Sequence, residues 1–227
     1  MIDPATAIVL YIVFLYSTVC HEAAHAWLAH KLGDDTAYRG GQVSLDPIPH
    51  IKRAPLGMVV LPLIMLLTSG MLIGWGLAPY NPEWARRNPT KDAWVAVAGP
   101  LANLLLIVLS AITIRVCIAQ GVFVPSSNSF AQAASGAGPG AQALAMTVGA
   151  IFGLNLVLFV LNLLPLPPLD GSKIPLFFLR GDAANRYQEL LQNPTLGLVT
   201  FLIIFNCLGP ILGPIQVLAH SILYSGG

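Results

Sequence analysis

Long apolar stretches separated by short polar segments dominate the pattern of this 227-residue chain. Four of them reach the roughly 20 residues that an α-helix needs to cross the hydrocarbon core of a bilayer. They span about 5–29, 92–119, 141–164 and 195–223. The pattern therefore predicts an all-α polytopic membrane protein with about four transmembrane helices, in which residues 1–227 form a single domain.

A fifth apolar stretch, at about 55–80, is interrupted by proline and glycine and is a poor candidate for one straight span. A helix over 55–68 rises about 20 Å at about 1.5 Å per residue. An extended segment over 70–80 then returns about 30–35 Å at roughly 3.3 Å per residue. We therefore predict a re-entrant element that enters and leaves the membrane on the same side. Its non-helical part has to be buried in protein or face a wet cavity.

Composition and charge agree with a membrane protein. Hydrophobic residues make up 56% of the chain and charged residues 9%, against about 25% charged residues in a soluble domain. The net charge of +1 gives no indication of a nucleic-acid partner. With a re-entrant 55–80, all of the eleven Lys and Arg residues except Arg115 face one compartment, which the positive-inside rule makes the cytoplasm. The N-terminus is then outside, and the protein is predicted to lie in the cell membrane.

Residues His21, Glu22 and His25 form an HExxH motif inside the first apolar stretch. Side chains four residues apart share a helix face, so the two histidines can bind one metal ion. Glu22 is offset by about 100° around the helix and can act as a general base toward a metal-bound water. Ionisable groups at membrane depth are costly and mark a functional site. The predicted orientation places this motif in the cytoplasmic half of the first helix.

Asp170 is the candidate third ligand of a metal site. A hydrolytic zinc site takes three protein ligands and leaves one position for water. Besides Glu22, Asp170 is the only acidic residue associated with the apolar interior of the spans, and it follows the third span in a proline-rich turn. Only the re-entrant arrangement brings this turn to the side of the membrane on which the histidines lie. We therefore expect one Zn²⁺ ion bound by His21, His25 and Asp170.

Three further polar residues are candidate substrate-binding residues, each with an alternative role. His50 precedes the re-entrant element and is either a solvated loop histidine or part of the site. Asn103 and Asn162 are amides in apolar helices, where they either form hydrogen bonds between helices or position the substrate. The residues alone leave these alternatives open.

The chain resembles the site-2 protease family of intramembrane zinc metalloproteases. The resemblance rests on the HExxH motif at 21–25, on Gly-Pro-Leu-Ala-Asn at 99–103 and on the segment 162–171, which contains Asn162 and Asp170. These motifs occur in the family's order and cover nearly the whole chain. The short chain resembles the family's compact prokaryotic members, which lack the PDZ or CBS domains of larger ones.

The resemblance implies hydrolysis of peptide bonds in or beside the transmembrane segments of membrane-protein substrates, on the cytoplasmic side. It implies that the three predicted ligands bind the metal and that Glu22 is the catalytic base. It also implies that Asn162 holds the substrate, whereas Asn103 belongs to a motif linked with core architecture. Segment 39–50 is similar to the family's membrane-associated β-loop, whose edge strand pairs with an extended substrate.

The leading hypothesis is an intramembrane zinc endopeptidase, whose partners are the lipid bilayer and a transmembrane protein or peptide substrate. The alternative is a non-enzymatic metal-binding membrane scaffold that holds transmembrane segments, but a scaffold has no use for a base such as Glu22 beside the ligands. A metal or proton transporter needs ionisable groups along a path across the bilayer, whereas here they cluster on one side. Nothing in the sequence indicates an oligomeric state.

Overall fold

The computed structural model describes residues 3–126 and 133–224, and most of these residues are helical. The α-helices are α1 (Pro4–Leu32), α2 (Thr36–Arg39), α3 (Pro47–Arg53), α4 (Leu61–Ser69), α5 (Pro82–Arg87), α6 (Pro89–Ala119), α7 (Pro139–Leu163), α8 (Gly181–Leu191) and α9 (Pro194–Tyr224). A π-helical turn (Leu56–Val60) leads into α4, and a 3₁₀ helix (Asp170–Phe177) precedes α8. Strands β1 (Phe123–Pro125) and β2 (Ala134–Gly136) pair antiparallel, with Val124 opposite Ser135. The predicted all-α class is confirmed.

Three of these helices, α1, α6 and α7, are long and apolar enough to cross a membrane, among the residues that the structure describes. Their bounds agree with the predicted spans at 5–29, 92–119 and 141–164 to within three residues. The predicted fourth span, 195–223, is helix α9. The helices therefore follow the apolar pattern of the chain closely.

Polar side chains lie inside the bundle, and apolar side chains cover much of its outside. Helices α1, α6 and α7 pack against one another, and Ser17, Asn103 and Asn155 at their common interface are 3%, 0% and 0% exposed. By contrast, Leu67 and Leu105 are 67% and 58% exposed. A lipid environment accounts for this inversion, because apolar surface can face hydrocarbon without cost, whereas polar groups there need partners.

The predicted re-entrant element begins with a helix that ends at Ser69. The π-helical turn and α4 form one continuous helical segment, Leu56–Ser69, which meets α3 at an angle of 110°. Gly70 follows it with a φ of +69°. Side chains with a Cβ rarely adopt this conformation, so glycine is the residue suited to reversing the chain here.

The return segment, residues 71–81, has no regular secondary structure and runs back past the helix that precedes it. The Trp75 amide donates a hydrogen bond to the Gly57 carbonyl at 3.1 Å, so the two arms lie side by side. The segment ends beside the C-terminus of α1, where the Asn81 amide donates to Asp34 Oδ2 at 2.8 Å. The chain between 55 and 80 therefore doubles back, as predicted.

The prediction of a β-loop at 39–50 is wrong. This segment contains the end of α2 and the start of α3, and none of its residues forms a strand. The Asp46 side chain accepts a hydrogen bond from the Ile48 amide at 3.0 Å, and Pro47 occupies the first helical position. Both features favour the start of a helix, and proline cannot donate a hydrogen bond to a sheet. The two-stranded sheet instead joins α6 to α7.

Cysteine labelling tests whether residues 55–80 double back. Arg39→Cys and Glu83→Cys flank this element, and the native side chains are 81% and 71% exposed. In a background without native cysteines, a membrane-impermeant maleimide is expected to label both positions from the same side. Gln120→Cys, at the other end of α6, is the control and is expected to be labelled from the opposite side only. Labelling of positions 39 and 83 from different sides would contradict the fold.

Candidate metal centre

Two nitrogen atoms and one oxygen atom converge beside α1. His21 and His25 lie one turn apart on the same face of this helix, and their Nε2 atoms are 3.0 Å apart. Oδ2 of Asp170, at the start of the 3₁₀ helix, lies 3.0 Å from His21 Nε2 and 3.3 Å from His25 Nε2. The structure thus brings together the three residues that the sequence predicts as ligands, in an arrangement able to hold a metal ion.

A hydrogen bond holds the far side of each imidazole. His25 Nδ1 lies 2.7 Å from the carbonyl oxygen of Val95 in α6. A carbonyl oxygen only accepts, so this nitrogen carries the proton and Nε2 presents a lone pair. His21 Nδ1 donates in the same way to Asn103 Oδ1 at 2.6 Å. Such hydrogen bonds orient the ligating histidines of metalloproteins.

The converging atoms fit a zinc ion. With both Nδ1 atoms protonated, no hydrogen atom lies between the two Nε2 lone pairs and the Asp170 carboxylate. Asp170 Oδ2 is buried and, within the part of the chain that the structure describes, accepts no hydrogen bond. Three electron-rich atoms this close repel one another unless a cation lies among them. Two imidazoles and one carboxylate are a donor set typical of zinc, with a fourth position left for water.

Neighbours of the 3₁₀ helix hold Asp170 in place. Lys173 Nζ, one turn after Asp170, donates to Asp92 Oδ1 at 2.8 Å, and Asp92 in α6 is 3% exposed. The hydroxyl of Tyr187 in α8 donates to the Ser172 carbonyl at 2.8 Å. These contacts anchor the third candidate ligand to α6 and α8, although it is far from the histidines in sequence.

The candidate ligands open onto a cavity of about 490 Å³. Glu22 lines the same cavity and is 8% exposed. Residues 74–80 of the return segment form another part of the wall. The irregular backbone of the re-entrant element therefore faces a cavity, and Glu22 faces the space next to the ligands.

Asn162 also lines this cavity. Its Nδ2 donates to the Leu158 carbonyl one turn earlier in α7 at 3.0 Å, and the side chain is partly exposed. This position is compatible with contact between Asn162 and a substrate, which stays a prediction.

Asn103 lies deep in the bundle, away from the cavity that Asn162 lines. It has no exposed surface and sits behind His21, away from the cavity. Its Nδ2 donates to Asn155 Oδ1 in α7 at 2.8 Å. The alternative role, hydrogen bonding between helices, is the one that the structure supports.

His50 is likewise buried rather than placed in the cavity, and it is not a solvated loop histidine either. It is 1% exposed, its Nε2 donates to the Ser44 carbonyl at 3.0 Å, and its Nδ1 accepts from Gln42 Nε2 at 3.4 Å. Gln42 also donates to the Leu77 carbonyl at 2.8 Å. His50 therefore stabilises the loop after α2. That loop contacts the return segment through Gln42.

A family model described as Peptidase family M50 matches residues 9–204. The chain belongs to peptidase family M50. This is the family of the site-2 proteases, so the resemblance seen in the sequence is confirmed. The M50 peptidase is a metalloprotease that uses zinc, and it is a multi-pass membrane protein.

Curated relatives agree with this assignment. The M50 peptidase is 32% identical over 197 residues to YwhC of Bacillus subtilis (strain 168), which is named as a zinc metalloprotease; the match covers 86% of this chain and 79% of the relative. Rip2 of Mycolicibacterium smegmatis and Rip2 of Mycobacterium tuberculosis carry the same designation and are 28% and 30% identical. Each match covers 70% of this chain, which spans only 52% of the length of Rip2. No solved structure is significantly similar.

Gly99 is a residue of the site whose role the sequence did not reveal. It lies in α6 directly against both imidazoles, and a Cβ at this position would overlap His25 Nε2 and the ring of His21. The resemblance links the Gly-Pro motif at 99–103 only with core architecture. Its glycine allows α6 to approach the candidate metal centre of this M50 peptidase.

Gly99→Ala is expected to lower the zinc content of the purified M50 peptidase about tenfold or more, because the added methyl group displaces the imidazoles. Gly140→Ala in α7 is the control, since nothing lies within 4 Å of a Cβ added there. Zinc per protein is measured by mass spectrometry of the metal, and thermal unfolding verifies that both variants are folded. Wild-type zinc content in Gly99→Ala would contradict the close packing of α6 on the site.

Proposed function

We propose that this M50 peptidase is an intramembrane endopeptidase that hydrolyses peptide bonds in or near the transmembrane segments of membrane proteins. The proposal is supported above all by the convergence of His21, His25 and Asp170 on a cavity that Glu22 also lines. This cavity lies within a bundle whose outer side chains are apolar. A transmembrane segment can approach a cavity in such a bundle from the bilayer.

In this proposal His21, His25 and Asp170 bind the zinc ion. When bound, zinc lowers the pKa of a water molecule toward about 7 and polarises the scissile carbonyl. Glu22 accepts the proton of the attacking water and then donates it to the nitrogen of the leaving amine, which restores the carboxylate. The burial of Glu22 beside the ligands supports this role, because charge interactions are stronger where bulk water is excluded.

A transmembrane substrate has to unwind near the scissile bond, because a helix occupies its carbonyl groups with internal hydrogen bonds. At about 490 Å³, the cavity has a volume typical of ligand-binding pockets. Asn162 is positioned on its wall to hold one peptide group through its side-chain amide. The substrate is therefore a membrane protein or peptide whose helix is easily unwound.

The catalytic side is proposed to be cytoplasmic, with the N-terminus outside the cell membrane. The return segment ends beside Asp34, and Lys91 Nζ at the start of α6 donates to the Leu32 carbonyl at the end of α1 at 3.4 Å. Basic residues of α2, α5 and the start of α6 thus collect at the end of the bundle nearer His25. The positive-inside rule favours the cytoplasm for that end.

Glu22→Gln is expected to reduce the cleavage rate about 10²- to 10⁴-fold, because the amide has the shape of the carboxyl group but cannot accept a proton. Zinc content is expected to stay at the wild-type value, since Glu22 is not a ligand. Proteomic comparison of membranes containing the wild-type protein or the variant measures the effect, as uncleaved membrane proteins accumulate with the variant.

Glu83→Gln is the matched control, because this glutamate lies in α5 with a side chain 71% exposed. It is expected to leave the membrane proteome as in the wild type. Undiminished cleavage by Glu22→Gln would rule out this glutamate as the base. Full cleavage by a preparation freed of metal with a chelator would rule out the zinc mechanism.

A further inference from the structure

A continuous chain of buried hydrogen bonds lies behind the metal centre, in the apolar interior of the bundle. Asn103 Nδ2 donates to Asn155 Oδ1 at 2.8 Å, and Asn155 Nδ2 donates to Ser17 Oγ at 2.9 Å. Neither amide has exposed surface, and Ser17 is 3% exposed. Asn103 Oδ1 in turn accepts from His21 Nδ1. These hydrogen bonds therefore connect α7 to His21 through buried side chains.

A backbone carbonyl sets the direction of this chain. Asn155 Nδ2 also donates to the Ile151 carbonyl at 2.8 Å, and a carbonyl oxygen can only accept. Asn155 Oδ1 therefore faces Asn103, and Asn103 Nδ2 donates the hydrogen bond to it. Asn103 Oδ1 is then left facing His21 Nδ1, so Nδ1 carries the proton and Nε2 keeps its lone pair.

The opposite orientation of the Asn103 amide is incompatible with metal binding. Rotation of the amide by 180° places Nδ2 against His21 Nδ1, which then has to accept, so that the ring proton moves to Nε2. A protonated Nε2 has no lone pair for zinc. An asparagine amide has nearly the same shape in both orientations, so its hydrogen-bond partner decides between them.

We propose that Asn155 is a positioning residue of the metal centre: it fixes the amide of Asn103 and thereby selects the His21 tautomer that binds zinc. The proposal rests on the proposed role of His21 as a ligand. Asn155 lies one hydrogen bond beyond Asn103 and contacts neither the cavity nor the converging ligand atoms. Its effect on zinc therefore passes through the orientation of one amide.

Asn155→Leu tests the proposal, because leucine has a similar volume and offers Asn103 no acceptor. Zinc affinity of the purified protein in detergent micelles, measured by competition with a chelating dye, is expected to fall about 10- to 100-fold, as for other partners of ligating histidines. Asn155→Ala is measured in parallel because it removes the same acceptor without a branched side chain. Melting temperatures of all variants verify folding.

Ser17→Ala is the matched control. It removes a buried hydrogen bond from the same chain but leaves the Ile151 carbonyl to orient Asn155. Zinc affinity is therefore expected to change by less than about tenfold, although stability falls. Equal losses of zinc affinity in Ser17→Ala and Asn155→Leu would overturn the proposal, because they would reflect general loosening of the helices.

The double variant Asn103→Asp with Asn155→Leu provides a rescue. A carboxylate presents an acceptor oxygen to His21 in either orientation, so zinc affinity is expected to rise about tenfold above that of Asn155→Leu alone. A role for Asn155 in packing alone predicts no rescue, because an added buried carboxylate lowers stability further.

His21→Ala separates failure of this proposal from failure of the proposed function. Undiminished zinc affinity in His21→Ala would contradict the ligand assignment itself. A large loss in His21→Ala together with wild-type affinity in both Asn155 variants would overturn the role of Asn155 and leave the ligand assignment standing.

Discussion

Two imidazole lone pairs and one carboxylate oxygen meet at 3.0 to 3.3 Å inside an apolar bundle. Helix α1 supplies the two nitrogens through a spacing of one helical turn, α6 holds both rings from behind, and the 3₁₀ helix brings the carboxylate to them. In surroundings of low dielectric constant the mutual repulsion of such atoms is strong. A bound zinc ion attracts all three atoms. Zinc binding therefore stabilises the packing of these helices around the site.

The same hydrogen bonds hold the helices together and orient the candidate ligands. In the interior of a membrane protein, polar side chains between helices need partners, and Ser17, Asn103 and Asn155 supply them to one another across α1, α6 and α7. This network ends on a ring nitrogen of His21. Packing of the three long helices and the chemistry of the metal site are therefore not separable properties here.

The sequence predicts the ligand set and the doubling back of 55–80 because both follow from simple geometry. Histidines four residues apart share a helix face, and the side on which Asp170 emerges follows from the distribution of Lys and Arg. The sequence-based prediction is wrong at 39–50. There the resemblance favours a strand, but the Asp46 cap and the proline after it start a helix. The sequence does not predict the proposed role of Asn155. A single amide in an apolar helix forms no periodic pattern, and this role depends on contacts between helices.

X-ray absorption at the zinc edge of the purified protein tests the central claim most directly, namely that two histidines and one aspartate bind the metal. The account predicts two imidazole nitrogens at about 2.0–2.1 Å together with oxygen ligands at about 2.0–2.2 Å. It also predicts loss of the bound zinc, or of one oxygen ligand, in Asp170→Ala. A sulfur ligand at about 2.3 Å, or an unchanged spectrum in that variant, would contradict it.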